Sequence, residues 1–214
     1  MSKDSDMTRT RWWWVRHAPV VGHGGRIYGQ DDVPCDVSDT DSFAALARAL
    51  PEGAVWVTSH LSRTTDTANA IKAAGLNGAR PIVEETLAEQ HFGDWQDLSW
   101  DELRATKGER YETFWRRPAD ERPPGGESFA DVIGRTTETV RRLTGDHGGR
   151  DIIAVTHGGT IRAAVAYALD LDPARALTVK VDNLSITQID HYAEQRFKGV
   201  GGHWRVAGIN LPPI

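Results

Sequence analysis

The sequence has 214 residues and 39% hydrophobic content, which suits one α/β domain with a continuous core. The formal net charge is −5, and acidic and basic residues are mixed along the chain, so no nucleic-acid partner is indicated. No apolar run approaches the roughly 18 residues of a membrane span, so no membrane partner is indicated either.

The N-terminal residues and the cysteine content predict where the protein resides. Residues 1–11 are polar and contain no apolar stretch like that of a signal peptide. Cys35 is the single cysteine and cannot form an internal disulfide. We therefore expect a cytoplasmic protein with a disordered lead over residues 1–10 and a single domain over 11–214.

The first half of the chain predicts alternating strands and helices. Apolar runs that stop at turn residues indicate buried strands, and apolar residues at helical spacing indicate helices. The first run stops at Arg16-His17-Ala18-Pro19, so the first strand delivers Arg16 and His17 at its C-terminal end. The predicted elements are a strand over 11–15, a helix over 42–50, a strand over 54–58, a helix over 64–74 whose start is left open between 59 and 62, and a short strand over 81–83.

The second half predicts the same alternation after a loop over 87–97 that holds Glu89. The clearest helix covers 128–143, where apolar residues share one face and Ser128 and Asp131 are placed as a capping box. A β-branched strand over 151–156 then ends in His157-Gly158-Gly159. The remaining predicted elements are short helices over 100–107 and 109–117, a helix over 160–169, and a closing hairpin of 185–190 and 203–209 joined through 199–202.

The three consecutive tryptophans, Trp12 to Trp14, are interpreted as core residues. An aromatic run inside a strand usually packs on both faces of a sheet. The alternation of strands and helices predicts an α/β fold, a three-layer α/β/α sandwich around a mainly parallel sheet.

Functional groups in such sheets gather at the carboxyl ends of the strands. Three predicted strand ends carry Arg16-His17, Arg63 and His157, so two guanidinium and two imidazole groups should meet there. Guanidinium groups match phosphate oxygens bidentately, and Gly158 and Gly159 begin a helix whose N–H groups suit an anion. Together, these guanidinium, imidazole and N–H groups predict a phosphate-binding site. The nearby arginines should lower the pKa of His17 and favour the neutral, nucleophilic imidazole.

Other phosphatase chemistries lack their sequence signals. Six residues after Cys35 stands Asp41, where a cysteine phosphatase loop needs arginine, and Asp39 lies in a polar loop rather than after an apolar strand. The histidines show no metal-ligand spacing, and neither a phosphate-binding nor a dinucleotide-binding glycine motif occurs. We therefore expect no catalytic metal and no cofactor.

Five blocks of the chain, in order, resemble the motifs of one family. The blocks are Arg16-His17-Ala18, Thr58 to Ala68 with its Arg-x-x-x-Thr-Ala ending, Leu87 to Trp95, Gly125-Gly126-Glu127-Ser128, and Val155 to Gly159. Together they resemble the histidine phosphatase superfamily, which includes cofactor-dependent phosphoglycerate mutase and α-ribazole phosphatase.

The resemblance implies a phosphoglycerate mutase-like fold and a phosphohistidine intermediate on His17. It also implies that Arg16, Arg63 and His157 form the phosphate pocket and that Glu89 donates a proton to the leaving group. The assignment of Glu89 competes with a plain surface role, because Glu84, Glu85 and Asp94 are carboxylates nearby.

Two departures from the family pattern bear on function. Ala18 replaces the usual glycine, and Pro19-Val20-Val21 replace the polar residues that normally follow. The segment between Glu89 and Gly125 is shorter than the matching insert of the mutases, and Phe92 stands where those enzymes resemble one another in carrying tyrosine. These features favour a phosphatase acting on a small phosphorylated metabolite such as a sugar phosphate, phosphoglycerate or α-ribazole phosphate.

Two alternatives stay open at this point. One is a mutase, which returns the phosphoryl group to an organic acceptor, and the other is a non-catalytic module that binds a phosphorylated ligand. The sequence predicts no oligomeric state.

Overall fold

The computed structural model describes residues 8–193 and 203–213, and a six-stranded sheet runs through its centre. Its strands, in chain order, are β1 (Arg9–Arg16), β2 (Val55–Thr58), β3 (Ile82–Val83), β4 (Asp151–Thr156), β5 (Ile186–Tyr192) and β6 (Trp204–Leu211). The order across the sheet is β3-β2-β4-β1-β5-β6. The pairs among β1 to β4 are parallel, whereas β5 and β6 add an antiparallel edge beside β1.

Helices cover both faces of the sheet, which confirms the predicted three-layer α/β architecture. The helices are α1 (Thr40–Ala49), α2 (Ser62–Ala73), α3 (Trp100–Arg116), α4 (Phe129–Asp146), α5 (Gly158–Leu169) and the short α6 (Pro173–Ala176). Apolar side chains of α4 and α5 pack on one face of β1, and those of α1 and α2 pack on the other. Among the described residues, no helix has the length and apolar composition needed to cross a bilayer.

The tryptophans of β1 lie in the core, as predicted. Trp12 and Trp14 are fully buried on the α4/α5 side and stack with ring centroids 4.9 Å apart. Trp13 packs on the opposite face, and its indole N–H donates to Asp151 at 2.9 Å. Side chains alternate across a strand, so this run covers both faces of the central strand.

Two predicted boundaries are wrong. β1 begins at Arg9, so Arg9 and Thr10 belong to the sheet rather than to the predicted disordered lead, whose residues 1–7 lie outside the described part. The sequence also predicts two short helices where the chain forms one continuous α3. An interior glycine costs a helix about 1 kcal/mol. In α3, a capping box at the start of the helix and two buried apolar side chains offset that cost.

The other elements agree with prediction to within a few residues. The predicted capping box of Ser128 and Asp131 is present at the start of α4. The closing hairpin is the β5–β6 pair. Its predicted link over 199–202 lies outside the described residues.

Candidate active site

The pairing of β1 with β4 brings the two predicted histidines together. Arg16 is in register with Thr156, and the N–H of His17 donates to the Thr156 carbonyl at 2.9 Å. His17 and His157 follow directly after these strand ends, are both fully buried, and have ring centroids 5.2 Å apart. Two parallel neighbours of one sheet therefore deliver both imidazoles to a single point.

The hydrogen bonding of His17 selects one tautomer. Its Nδ1 lies 2.7 Å from the Ala18 carbonyl oxygen, which can only accept, so Nδ1 carries the proton and Nε2 keeps its lone pair. Nε2 is buried and has no hydrogen-bond partner among the described residues. In the neutral ring, Nε2 is therefore the nitrogen available as a nucleophile.

The pKa of His17 is lowered to about 3, chiefly by burial; the hydrogen bond to the Ala18 carbonyl opposes this shift, and the positive charges of Arg63 and Arg16 add to it. The direction agrees with the sequence-based expectation. The main cause differs, because removal from water disfavours the imidazolium more than the two arginines do.

Neighbouring side chains fix the backbone around His17. The Asn183 side-chain amide donates to the His17 carbonyl at 2.7 Å. The Thr67 hydroxyl accepts from the N–H of Ala18 at 2.8 Å and donates to the Arg63 carbonyl at 2.7 Å, which ties α2 to the end of β1. Ala18 itself belongs to the apolar cluster against α1 and α2, so its methyl group fills core space.

Ser59 orients the second histidine. Its hydroxyl oxygen lies 2.8 Å from His157 Nε2 and accepts from the N–H of Leu61 at 3.3 Å. The Ser59 hydroxyl also lies 3.1 Å from Thr64 Oγ1. Donation of the hydroxyl proton to Nε2 would place the ring proton of His157 on Nδ1. His157 Nδ1 has no partner among the described residues, and burial, with the adjacent His17, lowers the pKa of this ring well below its ordinary value. A neutral imidazole therefore lies beside His17.

The two predicted arginines donate hydrogen bonds to backbone carbonyls, and each also has an N–H group that could bind a ligand. Arg63, in the first turn of α2, is fully buried and donates to Gly29 at 2.6 Å and Asp31 at 2.8 Å, with its guanidinium 5.0 Å from the Tyr28 ring centroid. Arg16 donates through Nη1 to the Val181 carbonyl at 2.6 Å. The Nε of each arginine is buried without a partner in the part of the chain that the structure describes.

Glu89 is docked against the start of α5. One of its carboxylate oxygens accepts from the N–H groups of Gly159 and Gln90, each at 3.0 Å. Its backbone carbonyl accepts from Gln30 at 2.8 Å and Arg135 at 3.1 Å. A Cβ atom at Gly159 would overlap Glu89 Oε1, so a larger residue there would displace this carboxylate.

This contact corrects one expectation. The N–H of Gly159 binds the carboxylate of Glu89, so it is not free for an external anion as the sequence suggested. Gly158, the other predicted anion donor, is buried at the first position of α5, and its role stays a prediction.

The competing carboxylates lie elsewhere. Glu84 pairs with Arg142 at 2.8 Å, and Glu85 and Asp94 are exposed. Burial lowers the pKa of Arg63, and Glu89, in contrast to the other three, lies close enough for its charge to oppose that shift. The structure thus places Glu89 at the arginine-lined site.

The rival nucleophiles have structural partners. The Cys35 thiol is directed at the Arg63 carbonyl at 3.6 Å, and burial raises the pKa of this thiol. Asp39 caps α1 by accepting from the N–H of Ser42 at 3.1 Å. Within residues 8–193 and 203–213, no group of three or more His, Cys, Asp or Glu side chains is arranged to hold a metal ion.

Sequence reasoning missed three residues at this site: Ser59, Asn183 and Arg162. Ser59 was part of the second block but carried no assigned role, and Asn183 lies in a loop without a local signal. Arg162 stands one helical turn beyond Gly158, so helical spacing alone would have placed it near the pocket.

The depressed pKa of His17 predicts a loss of stability in acid. An unfolded histidine titrates near 6.5 and the folded His17 near 3, so stability present above pH 6.5 is lost as pH falls toward 3. Between pH 7 and pH 5 this one group should lower the free energy of unfolding by about 2 kcal/mol. Urea unfolding of wild type and His17→Asn at both pH values measures this change in the free energy of unfolding. An equal decline in both proteins would contradict the buried, neutral His17.

A family model described as histidine phosphatase superfamily (branch 1) matches residues 12–200 of this chain. A 2,3-bisphosphoglycerate-dependent phosphoglycerate mutase 2 from Gloeobacter violaceus is 32% identical over 199 residues, which cover 87% of this chain and 88% of that protein. A glucosyl-3-phosphoglycerate phosphatase from Mycobacterium tuberculosis is 32% identical over 195 residues, covering 85% of this chain and 80% of that protein.

A solved structure of mycobacterial glucosyl-3-phosphoglycerate phosphatase superposes on this fold with a TM-score of 0.78. Its sequence identity to this chain is 29%, and the match covers 95% of this chain and 99% of that one. The family model spans most of the chain, and it includes the strand ends that carry both histidines. The chain belongs to the histidine phosphatase superfamily.

Proposed function

We propose that this chain is a phosphomonoesterase that hydrolyses a small phosphorylated metabolite through a phosphohistidine intermediate on His17. One observation carries the proposal. Four buried nitrogen atoms, from Arg16, His17, Arg63 and His157, lack hydrogen-bond partners among the described residues, although buried polar groups are normally paired. With the ring proton of His157 on Nδ1, three of them are donors and one is a lone pair, which is the set that a phosphoryl group requires: donors for its oxygens and a nucleophile for its phosphorus.

In the first step, His17 Nε2 attacks phosphorus while the bond from phosphorus to the ester oxygen breaks. The proton that the leaving oxygen needs comes from Glu89, which enters this step in its protonated form. The positive charge that develops on His17 is stabilised through its Nδ1–H bond to the Ala18 carbonyl. Arg16, Arg63 and His157 stabilise the charge on the equatorial oxygens of the phosphoryl group.

In the second step, Glu89 acts as a base and takes a proton from water, whose oxygen attacks the phosphohistidine. The bond from phosphorus to Nε2 breaks, and the electron pair returns to the ring. His17 is again neutral, Glu89 is again protonated, and inorganic phosphate is released.

The mutase alternative retains support from one observation, since a relative named as a phosphoglycerate mutase is as similar to this chain as the one named as a phosphatase. The two activities differ in what accepts the phosphoryl group from His17. A phosphatase passes it to water, whereas a mutase returns it to an organic hydroxyl.

The proposal predicts hydrolysis that needs no added metal, because the arginines supply the charge stabilisation and Glu89 supplies the proton. Release of inorganic phosphate from a panel of phosphomonoesters, measured with and without a chelator, is the test. We expect unchanged rates with the chelator. Complete loss that a divalent ion restores would overturn the proposed chemistry.

Substrate labelled in its phosphoryl group separates the two activities. We expect the label in inorganic phosphate. Label retained in a second phosphorylated organic product would identify a mutase instead.

The proposal also includes a cytoplasmic location and a small-molecule partner rather than nucleic acid or membrane, which the composition supports.

A further inference from the structure

A cleft of about 270 Å³ opens beside Glu89, and neither His17 nor His157 is among the residues that line it. Its lining includes Glu89, Gly159 and Arg162, with Tyr28, Phe92 and Trp100 as aromatic walls. Glu89 must reach the ester oxygen in the proposed reaction, so the group attached to that oxygen occupies this cleft.

Arg162 is the cation in the cleft that forms no ion pair within 4 Å with any residue that the structure describes. Its Nε donates to the Val179 carbonyl at 2.7 Å, and its two terminal amino groups have no hydrogen-bond partner among the described residues. The guanidinium is partly buried, and burial lowers the pKa of Arg162 against the opposing charge of Glu89. A partly buried charge without an ion pair is costly, so this position calls for an anion.

Arg162 also lies close to the phosphate pocket. A Cβ atom at Gly158 would stand 3.3 Å from Arg162 Nη1 and 3.5 Å from Arg16 Nε, so the two guanidiniums flank the same glycine. An anion on Arg162 would therefore sit only a short distance from a phosphoryl group on Arg16. That proximity limits the ligand to an anion carried on the substrate a few bonds from the ester.

Charge balance favours a carboxylate over a second phosphate. Arg26, the other cation that lines the cleft, already pairs with Glu102 at 3.0 Å. One free guanidinium neutralises one negative charge, and its planar fork matches a carboxylate bidentately.

We propose that Arg162 binds a carboxylate on the leaving group, so that the preferred substrates are phosphomonoesters of small hydroxy acids. This inference rests on the proposed phosphomonoesterase activity and narrows its substrate class. It favours substrates such as phosphoglycerate or phosphoserine over α-ribazole phosphate, which has no carboxylate.

Matched substrates test the inference by kinetics. 3-Phosphoglycerate carries a carboxylate where glycerol 3-phosphate carries a hydroxymethyl group. The same difference separates 2-phosphoglycerate from glycerol 2-phosphate. For at least one pair, wild type should show a kcat/KM about ten- to a hundredfold higher for the acid, the size expected of a charge-assisted pair. Arg162→Met should bring that ratio close to one, whereas Arg26→Met, the matched control in the same cleft, should keep it.

Two outcomes would overturn the inference while the phosphatase proposal stands. One is hydrolysis without preference for the acid in either pair. The other is an Arg162→Met enzyme that loses the same factor on acid and alcohol, which would assign Arg162 to the phosphoryl group itself.

A binding measurement keeps the test independent of turnover. Calorimetry should show that 3-phosphonopropionate binds wild type at least about tenfold more tightly than propylphosphonate, with the difference lost in Arg162→Met. Equal binding of the two phosphonates by wild type would overturn the inference. Absence of any phosphomonoester hydrolysis would instead sink the proposed function, and the phosphonate pair would still report on Arg162.

Discussion

Replacing His17 by alanine is expected to lower kcat by at least about a thousandfold and to abolish any phosphoenzyme, because no other described group presents a free lone pair in the same place. Steady-state hydrolysis and rapid quench with labelled substrate measure the two effects. His157→Ala is the matched control, since it removes the neighbouring imidazole. It should slow formation of the phosphoenzyme without preventing it.

A His17→Ala protein that still accumulates a phosphoenzyme would contradict this account. Thermal unfolding at pH 7 should accompany the kinetics, since His17 is fully buried and its removal leaves a cavity. A folded but inactive variant is the expected result.

Arg63→Ala is expected to lower kcat/KM about a hundredfold and to weaken binding of vanadate or inorganic phosphate, because its guanidinium supplies charge to the phosphoryl oxygens. Arg63→Lys keeps the charge but loses the planar fork, and should fall between wild type and alanine. Competition kinetics with vanadate give the binding readout. Unchanged kinetics in the alanine variant would show that Arg63 is purely structural.

The structure adds a stability cost to this prediction. Arg63 donates to the carbonyls of Gly29 and Asp31, so its removal leaves two acceptors of the preceding loop without that donor. We therefore expect a lower unfolding temperature in Arg63→Ala as well as slower turnover. The kinetic comparison belongs at a temperature where both variants are folded.

Local signals in the sequence predicted the elements and the strand-end residues of the site. The apolar run that stops at Arg16-His17 became β1, and the β-branched run before His157 became β4, so topology alone brought the two histidines together. The capping box at Ser128 likewise marked the start of α4. These features depend on short-range patterns that one sequence shows directly.

Contacts between distant segments were beyond such patterns. Glu127 was assigned only to the entrance of α4, yet its carboxylate accepts from the N–H of His91 at 2.9 Å and pairs with Arg135 at 2.9 Å. Arg135 in turn donates to the Glu89 carbonyl. This chain of contacts fixes Glu89 through side chains up to 46 positions away, and nothing in their local composition indicates it.

The degree of burial was also beyond prediction. The sequence attributed the pKa shift of His17 to two arginines, whereas the fold removes His17 from water and thereby supplies the larger effect. Arg162 was missed for a related reason, because its importance comes from the lack of an ionic partner in a cleft that exists only in the folded chain.

The location of the phosphoryl group in the trapped wild-type intermediate tests the central claim most directly. Rapid quench with labelled substrate, followed by peptide mapping, should place the label on His17, in an adduct that is labile to acid and stable to base as a phosphoramidate is. Label on His157, Cys35 or Asp39 would contradict the account.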